Sequence, residues 1–145
     1  MSAAQLVLDA VRRLYSRRPL RVEDVAAATG TRLNLDRAHS NQYFTIYLGA
    51  GKPGAIFTEV EARIPTTSAT AKDGLVVITV NKTQSCIGQD EVMREFKAHP
   101  ELHPSGPAES LVYLVYRFDW GVLNFGFPTR GRACLSSIVV DATGA

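Results

Sequence analysis

No stretch of this chain approaches the roughly 18 consecutive apolar residues that a bilayer-crossing helix needs, so no transmembrane helix is expected. Proline and glycine are sparse, at 7 and 11, while 46% of residues are hydrophobic and 21% charged. That excludes a disordered, collagen-like or coiled-coil chain. An excess of one charge sign is missing too: 16 Lys and Arg stand against 14 Asp and Glu. A nucleic-acid binder gathers cations on one face. Here the one cluster, Arg12, Arg13, Arg17, Arg18 and Arg21, surrounds the end of a predicted helix, where cations complement the helix dipole. Nucleic acid is therefore not the expected partner.

What is present fits one domain over residues 1–145, long enough to bury most of its apolar surface. The two cysteines, Cys86 and Cys134, leave two readings open. Two buried thiols fit a reducing cytosol, and one disulfide fits an exported protein. The N-terminal stretch is amphipathic and carries Asp9, Arg12 and Arg13, which is not the pattern of a signal peptide. The expectation is a periplasmic protein whose leader is absent from this sequence, with a cytoplasmic protein as the alternative.

Hydrophobic periodicity predicts a first helix within 1–17, with Val7, Ala10, Val11, Leu14 and Tyr15 on one face. A second helix, 22–29, carries Glu23 and Asp24 in its first turn and stops at Gly30. Strands follow at 43–48, 56–64 and 75–80, with a glycine-rich turn at 49–54. A short helix at 89–97 opens the second half, and an irregular proline-rich connection at 99–107 leads to strands at 111–118, 122–127 and 134–140. The two halves, 20–81 and 86–141, share this order, and a tandem repeat of short helix and three strands is expected. Phe44-Thr45-Ile46-Tyr47 answers Tyr113-Leu114-Val115-Tyr116, for example.

Such an order packs as an α+β fold, a curved antiparallel sheet with helices on one face. Alternation assigns Phe44, Ile46, Leu48, Val60, Ile64, Val76, Ile78, Val80, Leu114, Leu123, Phe125 and Val139 to the core. It assigns Tyr43, Tyr47, Phe57, Glu59, Glu61, Arg63, Tyr113 and Arg117 to the opposite face. Large rings on a solvated face are a signature of binding surfaces. With Asp119 and Trp120 in a tight turn, and Arg130 and Arg132 in a loop, these residues form the candidate partner-binding set.

The short helices "VEDVAAATG" and "QDEVMREF", each entering a helix-plus-meander half, resemble the β-lactamase-inhibitor-protein and outer-membrane small-lipoprotein modules over about residues 20–141. The resemblance implies a non-catalytic protein that binds another protein in the periplasm, as an inhibitor or a toxin-immunity protein does. The chain departs from the inhibitor pattern in having one cysteine pair rather than one per repeat. Two alternatives remain: a secretion chaperone or assembly module, including a homodimer, and a small ligand-binding or enzymatic domain.

No catalytic, metal or cofactor site is expected. His99 and His103 have metal-ligand spacing, but Pro100 and Pro104 oppose a helix there, and a zinc site would also want further Cys or His nearby. Cys86 with either histidine lacks a nucleophile signature. Ser136 and Ser137 lack a G-x-S-x-G elbow. Gly49, Gly51 and Gly54 precede a strand, not the helix a phosphate loop requires. Glu59 and Glu61, about 7 Å apart along a strand, read as solubilising acids on a strand face.

Overall fold

A computed structural model describes residues 2–97 and 99–144, so Met1, at the start of the predicted first helix, and Ala145 lie outside the described residues. Helix α1 (Ala3–Ser16) opens with a capping box: the Ser2 hydroxyl accepts from the Gln5 N–H, and the Ser2 N–H donates to the Gln5 side chain. Its apolar stripe is fully inside, with Val7, Leu8, Val11 and Leu14 no more than 1% exposed. Each such burial contributes about 1.5–3 kcal/mol before conformational entropy is counted. Helix α2 (Val22–Thr29) ends where Gly30 adopts a left-handed φ of +63°, as its sequence predicts. Between them, the Leu20 N–H donates to buried Asp73 at 2.7 Å, tying the helix linker to a distant loop.

Eight antiparallel strands form one sheet: β1 (Asn34–Leu35), β2 (Phe44–Ala50), β3 (Phe57–Pro65), β4 (Leu75–Val80), β5 (Glu101–Ser105), β6 (Leu111–Phe118), β7 (Gly121–Pro128) and β8 (Ser137–Asp141). Helix α3 (Gln89–Glu95) opens the second half. The fold is α+β, as expected. The strand order is β1-β2-β3-β4-β8-β7-β6-β5, so each half is a meander and the two meet where β4 pairs with β8. That order is mirror-symmetric about its centre; a duplication would produce it, but it does not establish one. Two strands were not foreseen. β1 is only two residues long, and β5 lies in the connection read as irregular, with Pro104 tolerated because β5 is an edge strand.

All three helices bury their apolar sides against one sheet face. That core holds Val60, Ala62, Val76, Ile78, Leu114, Leu123, Phe125, Ile138 and Val140, each fully buried. Cys86 and Cys134 form a disulfide, their Cα atoms 4.8 Å apart, pinning the segment before α3 to the segment before β8. Of the two readings of the cysteines, the structure shows the bonded one.

Side-chain parity differs from the expectation in three places. Along β2, Ile46 lies opposite Arg63 and Leu48 opposite Glu61, whereas Tyr47 lies opposite core residue Ala62. Phe44, Ile46 and Leu48 therefore occupy the helix-free face, and Tyr47 packs against the core. Val139, paired with Val77, is also on the helix-free face. In β3 a bulge at Thr58 lets both Phe57 and Val60 point inward, three residues apart. Phe57 is thus a core residue, only 7% exposed, and not the outward ring that simple alternation placed beside Glu59.

Candidate protein-binding surface

The cross-strand registers fix what the helix-free face displays. One row across the sheet reads Ile46, Arg63, Leu75, Asp141, Val122 and Arg117. The next reads Leu48, Glu61, Val77, Val139, Asn124 and Val115. Leu75 and Val77 of β4, Val139 of β8 and Val122 of β7 thus form an apolar centre on three neighbouring strands, interrupted by Asp141, whose carboxylate accepts from the Thr143 N–H and hydroxyl. Charges lie to both sides. On β3, Arg63 Nε donates to Glu61 at 2.8 Å; at the other edge, Arg117 of β6 donates to Glu101 of β5 at 2.5 Å. The hydrogen bond from Arg117 holds the Glu101 carboxyl below the usual carboxylate range, with the nearby His103 acting in the same direction.

This face has relief. A cleft of about 420 Å³ lies where the segment before β2 overhangs the sheet, between His39, Phe44, Ile46, Glu61, Arg63 and Thr143. Ser40 shapes that overhang, its hydroxyl accepting from the Ile46 N–H at 2.8 Å. A second cleft, about 300 Å³, lies by Tyr113, Val115, Arg117, Val122 and Asn124. In the first, His39 Nδ1 sits 2.7 Å from Asp36, whose other oxygen accepts the His39 backbone N–H. The pair closes a local turn. Thr143, whose side chain also lines that cleft, donates its hydroxyl to Asp141. Among the described residues no group of three or more His, Cys, Asp or Glu is arranged to hold a metal ion.

The sequence-derived binding set is therefore only partly assembled. Glu59, Glu61, Arg63, Tyr113 and Arg117 share the helix-free face, and Tyr43, just before β2, is 48% exposed. Asp119, Arg130 and Arg132 are exposed in turns. Tyr47, Phe57 and Trp120 belong elsewhere: the first two face the helices, and Trp120 is 7% exposed. The indole stacks on Tyr15 of α1 and on Phe118, with ring centroids 5.3 and 5.2 Å away, and the Arg18 guanidinium lies over it. It anchors the end of α1 and is not presented to a partner.

The residues that alternation missed are Leu75, Val77, Val139 and Val122. Their signal was present: β4 reads Leu-Val-Val-Ile-Thr-Val, apolar on both faces, although an antiparallel strand with one wet face normally alternates. Compared with family models, curated proteins and solved structures, the chain matches none of them.

Proposed function

We propose that this is a non-catalytic protein-binding protein that docks its helix-free sheet face onto a folded partner and, as an inhibitor or immunity protein would, blocks that partner's working surface. The observation carrying this reading is the two-sided apolar character of β4 at the centre of the sheet, extended by Val139 of β8 and Val122 of β7, where the chain's own helices cover only one side. Apolar centre with charged margins is the ordinary anatomy of an interface. The ion pairs on β3 and at the β5–β6 edge supply orientation and partner choice more than affinity. The disulfide supports an oxidising compartment, and we take the periplasm as the working location.

The test is a paired substitution, Val77→Glu with Val139→Lys, in the tagged chain. Both side chains sit on the helix-free face, so thermal melting should be retained. A partner recovered from native extract by the unaltered chain, and identified by mass spectrometry, should be lost. Equal recovery of that partner by the altered chain would remove the sheet face from the proposal. A concentration-dependent dimer in light scattering, abolished by the same pair, would replace the foreign partner with a second copy.

A further inference from the structure

On the opposite side of the molecule, α1 and the end of α2 stand apart from the β2–β3 turn and leave a groove of about 510 Å³. That lies within the range of small-ligand sites, about 300–1,000 Å³. The groove is open because its walls are built from small residues: five alanines and two glycines contribute to the lining. Leu6 of α1 borders it with 46% of its surface exposed, one of the few large apolar side chains left open to solvent among the described residues. Gly51 could not be larger, since a Cβ there would lie 1.9 Å from the Phe57 carbonyl oxygen.

Two cations border this apolar space, Arg32 after α2 and Lys52 in the β2–β3 turn, and no acid is among its lining residues. Neither cation has an ion-pair partner among the described residues. Nor is either needed to cap α2, because the Ala26 carbonyl already accepts from the Gly30 and Thr31 N–H groups. An apolar trough with unneutralised cations at its margin is complementary to a molecule with an alkyl body and an anionic head. We propose that the groove binds a free medium-chain carboxylate, its alkyl chain along Leu6 and the alanines and its head between Arg32 and Lys52. This site is independent of the sheet face and of its partner.

The probe is sodium decanoate, titrated into the whole chain below its micelle concentration and followed by calorimetry and by amide shifts in isotope-labelled protein. Saturable binding is expected, with shifts confined to residues 27–32 and 50–57 and to Leu6. Arg32→Glu combined with Lys52→Glu should weaken it about tenfold while melting is unchanged. Ala28→Trp should fill the trough and abolish binding; if that variant misfolds, the charge pair still decides. Equal affinity for decanol or decyltrimethylammonium, shifts scattered over the surface, or binding only above the micelle concentration would overturn the proposal. So would a preference for lysophosphatidylcholine over decanoate.

Discussion

Tyr116 offers a sharp test of how the core is held. Its ring packs 5.0 Å from Phe96 and edge-on to Phe125 at 6.1 Å, and the residue is only 2% exposed. Its hydroxyl has no hydrogen-bond partner among the described residues. A hydroxyl withdrawn from water without compensation costs about 1–3 kcal/mol. Tyr116→Phe keeps both ring contacts and deletes that cost, so it should stabilise by about 1–2 kcal/mol. For a chain of this length the melting temperature should rise by about 3–7 °C. Urea denaturation should show a higher midpoint at unchanged slope. Burial also raises the phenol's pKa. The folded chain therefore keeps this proton where the unfolded chain has lost it. The resulting stability is complete below the ordinary tyrosine value of about 10 and falls as pH climbs through the raised folded value. The phenylalanine variant should show a shallower alkaline decline. A loss of more than about 0.5 kcal/mol at neutral pH would refute the reasoning, because it would mean that the hydroxyl makes a bond worth more than its desolvation.

Three further outcomes follow from other parts of the molecule. Asp73→Ala should destabilise by about 2–3 kcal/mol in urea titration, because it strands the buried N–H groups of Leu20 and Gly74, which both donate to this carboxylate at 2.7 Å. Cys86→Ser with Cys134→Ser should cost up to about 4 kcal/mol by the same assay, from the loop entropy released across 48 residues. Glu101 has a folded pKa lowered chiefly by Arg117, so the pair's contribution is present above the unfolded value and is lost as pH falls through the lowered folded one. A carboxyl NMR titration should place the Glu101 midpoint below the ordinary range, and Arg117→Gln should move it upward.

Much of this architecture was legible because its signals are local. The periodic stripe of α1, the Gly30 stop of α2 and the alternation in β3 each depend on a few neighbouring residues. Parity was not legible, because alternation separates two faces without saying which one the helices cover. For β2 that choice is made by its register with β3, a long-range property. For Phe57 it is made by one extra residue at Thr58, whose sequence carries no breaker. Trp120 looked available because it sits in a turn, yet Tyr15, more than a hundred positions earlier, closes over it. The helix-free face was half legible: alternation placed Glu59, Glu61, Arg63 and Arg117 on it, and its apolar centre was hidden in strands rich enough in valine and leucine to pass for interior.

The pairing of β4 with β8 makes each half of the chain the lid on the other's raw edge. Severed in the segment between Asn81 and Ser85, either fragment would present an unprotected, valine-rich backbone ladder to solvent. Neither could end its sheet alone, so the fragments would seek each other or a foreign strand. The same geometry makes exchange of halves between two molecules a low-cost event, and the disulfide leaves it open, because Cys86 and Cys134 both lie in the second half.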